Sequence, residues 1–135
     1  MKYITGIHAL NIPCKLDTCG DWHCSALKWE KVAIEDTEKS PFGTYGIEMN
    51  KTIPEHSEKF AVANHIRACL DLIEKGDFSN AQGMNEDFIV NKKYTGEIFR
   101  QVYKLRSRND WKYISAFMGP EYKMQWLHFL KKEEG

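Results

Sequence analysis

The hydrophobic rhythm of this chain changes near Pro54, from recurrence at every second residue to recurrence at every third and fourth. Side chains alternate across a strand but return to one face of a helix after about 3.6 residues. The change therefore predicts strands first and helices afterwards, an order that argues for an α+β fold over alternating α/β units. We expect a small antiparallel β-sheet from residues 1–54, packed against a bundle of about four helices from residues 55–135. Together these form a single domain spanning residues 1–135.

The strand-rich part reads as three segments. Residues 3–12 are apolar on both parities, as in a strand covered on both faces, and Pro13 ends the run because proline has no amide for a ladder. Residues 26–35 and 44–53 alternate, and the turn formers Ser40-Pro41 and Gly43 between them predict a hairpin. Beyond Pro54, Val62, Ile66, Cys69, Leu70 and Ile73 follow helical spacing, with Ser57 as the expected cap and Gly76 as the exit. A short helix or turns are expected over 78–90. A helix begins at Thr95, a third carries Trp111, Ile114, Phe117 and Met118, and Gly119-Pro120 marks the next boundary. The last helix should bury Met124, Leu127 and Leu130.

Composition excludes some classes of function. The charged fraction is 28%, with a net charge of zero, which lacks the basic excess of a dedicated nucleic-acid domain. No apolar stretch reaches the ~18 residues that suggest a membrane span, and the first residues lack the apolar core of a signal peptide. The expected address is the cytoplasm, where Cys14, Cys19, Cys24 and Cys69 stay reduced. The charges are unevenly placed: residues 1–90 hold 9 Lys/Arg against 14 Asp/Glu, and residues 91–135 hold 10 against 5. That polarity suits a protein partner or self-association.

Reactive side chains are densest between His8 and Cys24. Thiolates and imidazoles suit zinc, and His8, Cys14, Cys19 and His23 could supply a tetrahedral set, although the paired spacing of structural zinc sites is missing. The same stretch holds the ingredients of nucleophilic catalysis: Cys19 or Cys24 as nucleophile, His8 or His23 as base, and Asp17 or Asp21 to orient it. A packed turn with ordinary cysteines accounts for these residues as well. Neither phosphate-binding glycine pattern occurs, so no nucleotide cofactor is expected.

In the basic third, Arg100, Lys104, Arg108 and Lys112 are spaced four apart with aromatic residues between them, a mix that suits single-stranded nucleic acid or a partner surface. A helix break at Ser107–Asp110 would split that stripe. The first expectation for function is a small intracellular binding or regulatory protein acting by contact with a protein or small ligand, of the size of a toxin–antitoxin or phage-defence accessory. An enzyme or zinc site on the His8/Cys14–Cys24 loop comes next, and nucleic-acid binding through the C-terminal helices third.

Overall fold

The computed structural model describes residues 1–21 and 28–134. Its elements are strand β1 (Lys2–Ile4), helix α1 (Gly6–Leu10), strands β2 (Ile34–Asp36), β3 (Ile47–Lys51) and β4 (Phe60–Ala63), and helices α2 (His65–Glu74), α3 (Phe78–Ala81), α4 (Thr95–Tyr103), α5 (Trp111–Tyr122) and α6 (Met124–Glu134). The fold is α+β, with the sheet N-terminal and the main helices C-terminal. Among the described residues the four strands form one sheet in the order β2-β1-β4-β3.

The sheet is mixed where an antiparallel one was expected. β1 runs antiparallel to β2, with Tyr3 opposite Glu35, and β3 antiparallel to β4, with Glu48 opposite Val62. β1 and β4 are parallel, with Ile4 opposite Val62. The expected hairpin does not form: β2 and β3 lie at opposite edges, with β1 and β4 between them.

Residues 3–12 are not one strand. The chain leaves the sheet at Thr5 and passes through Gly6 at φ +69 into α1, which buries His8, Ala9 and Leu10. A run apolar on both parities cannot separate a covered strand from a buried helical turn, and here a glycine in the left-handed region makes the choice. The rhythm also changes later than Pro54, since β4 follows that proline. Val62 therefore sits in a strand. Asn64, rather than Ser57, caps α2, its side chain accepting from the Arg67 amide at 2.9 Å.

Helix α2 runs through the centre of the core. Every residue from His65 to Ile73 is buried, and the helix packs against α1, β4, α3 and α4. His65, Arg67 and Asp71 are buried along with its apolar residues, so each needs a partner inside the fold. Its two buried charges, Arg67 and Asp71, are joined at 3.0 Å. Gly76 leaves the helix at φ +77, as its sequence position predicts.

The expected boundary at Gly119-Pro120 falls inside α5 instead, and the break to α6 comes at Lys123, where φ is +56. Trp126 is fully buried and packs on Phe99, Trp111 and Phe129. Met124 and Leu127, expected in the core, are 60% and 52% exposed because the turn at Lys123 rotates the other face of α6 inward. No helix among the described residues is long and apolar enough to cross a membrane.

Candidate functional site

The loop after α1 folds back onto the first turn of α2 and borders an open cavity of about 310 Å³. Cys14, Thr18, Cys19, Gly20, Asp21 and His65 line it, together with the segment Leu10–Pro13. Of the reactive residues expected in this region, the structure gathers Cys14, Cys19 and Asp21 around one space. It adds His65, which the sequence reading passed over.

His65 is the first residue of α2, 2% exposed, and both ring nitrogens are engaged. Nε2 lies 2.7 Å from the Ile12 carbonyl oxygen, and Nδ1 lies 2.7 Å from Thr18 Oγ1. A carbonyl can only accept, so Nε2 carries a proton and the neutral ring offers Nδ1 as an acceptor. Thr18 Oγ1 is in turn 3.4 Å from Cys14 Sγ. The thiol also meets the imidazole and the backbone amide of His65.

These contacts set the acidity of the thiol. Burial pushes the Cys14 pKa up, but hydrogen bonds from His65, Thr18 and the His65 amide outweigh it and bring the thiol down to about 7. Burial disfavours the charged form of His65, yet its bonds to Cys14 and the Ile12 carbonyl prevail and hold its pKa above the ordinary histidine value. The amide belongs to a helix N-terminus, where the backbone dipoles favour an anion. The result is a thiol and an imidazole whose shared contacts favour the thiolate and the imidazolium.

The loop is tied down from several directions. The Lys15 amide donates to Glu48 Oε2 at 2.8 Å, and Lys51 Nζ bonds both Glu48 Oε1 at 2.8 Å and the Pro13 carbonyl at 2.6 Å. The Cys19 and Gly20 amides both donate to the Phe88 carbonyl at 2.9 Å. Asn91 Nδ2 bonds Asp17 Oδ2 at 2.9 Å, and the Asp17 amide reaches the Tyr94 hydroxyl at 3.0 Å. Phe88 belongs to a π-helical turn, Met84–Ile89, which ends in Val90 at φ +62 and ψ −52. A β-branched residue in that region is strained, and such turns and strain collect at functional sites.

Two glycines let this loop and β3 close on α2. Gly20, at φ +71, lies flat against the His65 ring: a Cβ there would stand 2.7 Å from Cε1 and 2.5 Å from the Leu10 carbonyl oxygen. Gly46, also at φ +71, accepts the Asn64 amide at 2.7 Å, and a Cβ on it would stand 2.9 Å from Asn64 Oδ1. Glycine backbone thus packs closely on the start of α2, at His65 and at Asn64.

The other expected residues lie elsewhere. His8 faces a separate cavity beside Gly6, Asp71 and Leu72, and its Nε2 lies 3.0 Å from the Lys28 carbonyl oxygen. It does not line the cavity that Cys14 and Cys19 share. Asp17 binds Asn91 and does not orient His65; the Ile12 carbonyl does. His23 and Cys24 fall outside the described residues. Among the described residues no three His, Cys, Asp or Glu side chains gather as a metal would require. Cys69 is fully buried, and burial pushes its thiol far above the ordinary range.

The basic residues Arg100, Lys104, Arg108 and Lys112 are exposed, but only Arg100 and Lys112 lie within helices, α4 and α5. The turns between those helices interrupt the stripe, as the sequence predicts. Arg108 bonds Asp110 and the Glu74 carbonyl and pairs with the Glu74 carboxylate at 3.3 Å.

This architecture defines an α+β protein with a cysteine–histidine pair at the start of a buried helix. Comparison with protein-family models, with curated proteins and with solved structures finds no match.

Proposed function

We propose that the protein acts through covalent chemistry at Cys14, with the thiolate as nucleophile toward a small electrophile in the adjoining cavity and His65 as its base. The carrying observation is the Cys14–Thr18–His65 chain at the N-terminus of α2. A nucleophile needs a base within reach and a third group to orient that base. Thr18 and the Ile12 carbonyl meet those needs.

The hydroxyl of Thr18 lets a proton move without moving heavy atoms. In the neutral pair the Cys14 thiol donates to Oγ1 and the Thr18 hydroxyl donates to His65 Nδ1. Once the proton has passed, imidazolium Nδ1 donates to Oγ1, and the hydroxyl turns to donate to the thiolate. Both states keep every hydrogen bond, so the transfer costs little reorganisation. The cavity is large enough for a small molecule and open enough to admit one.

Alkylation by iodoacetamide across pH 5–10 tests this reading. The rate at Cys14 should rise with an inflection near pH 7, where the thiol ionises. Unfolding in urea should move that inflection up to the ordinary thiol range. His65→Gln should move it up in the folded protein, and Cys14→Ser should remove the fast phase. An inflection for native Cys14 in the ordinary range would sink the proposal.

Action by contact with a protein partner draws on a different observation. Tyr113, Met124 and Leu127 leave large apolar surface exposed on α5 and α6. A concentration-dependent change in sedimentation that Leu127→Asp abolishes would support self-association through that face.

A further inference from the structure

Cys19 is exposed and lines the same cavity as Cys14. The chain doubles back between them: Thr18, the residue before Cys19, touches Cys14 through Oγ1 and Sγ at 3.4 Å. A disulfide asks for Cα atoms roughly 4.4–6.8 Å apart, and a loop that returns within one residue of its starting thiol approaches that span. The amides of Cys19 and Gly20 share one acceptor, the Phe88 carbonyl, between two fixed neighbours: Thr18 on His65 Nδ1 and the Asp21 amide on the Leu10 carbonyl. Release of the two bonds to Phe88 lets Cys19 turn toward Cys14 between those fixed neighbours, while Pro13 and Lys15 stay anchored on β3 through Lys51 and Glu48.

We propose that Cys14 and Cys19 form a peroxide-oxidised thiol pair, in which Cys14 takes up the oxygen and Cys19 closes a reversible disulfide at the mouth of the cavity. This inference rests on the reading of Cys14 as a nucleophile and names a hydroperoxide as its electrophile. The Cys14 thiolate attacks the terminal peroxide oxygen. A sulfur–oxygen bond forms, the O–O bond breaks, and the departing oxygen leaves as an alcohol, or as water from hydrogen peroxide, with the proton held by His65. Cys14 is then a sulfenic acid, two electrons more oxidised. Cys19 attacks that sulfur, the S–S bond forms, the S–O bond breaks, and hydroxide leaves as water with the thiol proton of Cys19. One peroxide is reduced by two thiols, and a dithiol reductant restores them.

The attacking thiol must be ionised, accessible and close to a proton source, and Cys14 meets all three conditions. The resolving thiol must be accessible and able to move, which fits Cys19. Cys69 meets neither description, because it is fully buried on α2.

Reduced protein treated with one equivalent of hydrogen peroxide, then digested with trypsin and an Asp-directed protease, gives a decisive readout. Cleavage after Lys15 and before Asp17 and Asp21 puts Cys14, Cys19 and Cys24 on three separate peptides. The expected product is a Cys14–Cys19 cross-link that dithiothreitol reverses. In Cys19→Ser, dimedone should label the Cys14 sulfenic acid about tenfold more strongly than in the unsubstituted protein. A cross-link from Cys14 to Cys24, or dimedone labelling of Cys14 that Cys19→Ser leaves unchanged, would overturn the pair while leaving the reactive thiol intact. Cys14 that peroxide oxidises no faster than Cys19 does in Cys14→Ser would overturn the pair and the nucleophile reading together.

Discussion

Asp71→Ala should destabilise the protein by about 3–5 kcal/mol, because it strands a buried guanidinium. Arg67 is fully buried. Its Nε bonds Asp71 Oδ1 at 3.0 Å, Nη1 bonds the Tyr45 carbonyl at 2.6 Å, and Nη2 bonds the Tyr3 hydroxyl at 2.8 Å and Ser40 Oγ at 3.0 Å. Its plane also sits over the rings of Tyr3 and Phe42. Asp71 supplies the compensating charge, and its other oxygen accepts from the Tyr3 hydroxyl at 2.8 Å and Thr5 Oγ1 at 2.6 Å. Burial, and then the neighbouring carboxylate of Asp71, push the Tyr3 hydroxyl well above the ordinary tyrosine range, which favours its role as a donor to that carboxylate. Removal of Asp71 leaves one charge and two hydroxyls without their acceptor.

Urea denaturation measures the loss as a lower midpoint with an unchanged slope. The double variant Arg67→Met, Asp71→Leu should recover most of it, since replacing both partners of a buried pair with apolar groups is often close to neutral. A loss below about 1 kcal/mol for Asp71→Ala would mean that water reaches Arg67 and takes over from the carboxylate. The network matters beyond stability. It joins β1, the segment before β3 and α2, and so fixes where the first turn of α2, with His65, emerges beside the loop.

The order of strands and helices could be read in the sequence because it depends on local periodicity, which the succession of residues writes directly into the chain. The details that failed depend on single residues. Gly6 turns an apolar run out of the sheet, and Asn64 places the start of α2 after a strand of only four residues, Phe60–Ala63. A four-residue apolar run followed by a cap residue is a strand signal, but it adjoins a strongly helical pattern that absorbs it. Once α2 is drawn from Ser57, His65 falls in mid-helix and gives no hint of a site. Cys14, Cys19 and Asp21 were visible as a cluster because they are close in sequence. Their base was not, since His65 lies 47 residues beyond Thr18. An Asn–His pair at a helix start, facing a cysteine-rich loop, was the available signal. Proline inside α5 misled in the other direction: Pro120 suits a first turn, yet the helix carries it near its C-terminal end and breaks three residues later.

Gly20→Ala should damage fold and site together, and the two effects can be separated. An L-residue at φ +71 costs roughly 1–2 kcal/mol relative to glycine. Gly43→Ala measures that cost alone, because Gly43 is at φ +55 with nothing within 4 Å of the added carbon. At Gly20 the same carbon would stand 2.5 Å from the Leu10 carbonyl oxygen and 2.9 Å from His65 Nε2. The first is backbone and cannot swing aside. The second belongs to a ring held on both nitrogens. The loop must therefore lift from α2, and the expected loss in urea exceeds that of Gly43→Ala by about 1–2 kcal/mol, an overpacking cost. Lifting the loop parts Thr18 from Nδ1 and Cys14 from the helix amide. The folded thiol should then lose the contacts that lower its pKa, and its alkylation inflection should rise from about 7 toward the ordinary value of 9.0. The sign follows because the hydrogen bonds that are lost favour the thiolate and together outweigh the burial that opposes it. The stability that the low pKa confers is present above the ordinary thiol pKa and fades as pH falls through 7. Gly20→Ala should flatten that dependence, whereas Gly43→Ala should keep it. If Gly20→Ala and Gly43→Ala gave the same thiol inflection and the same urea midpoint, the close seat of Gly20 on His65 would have no part in holding the pair.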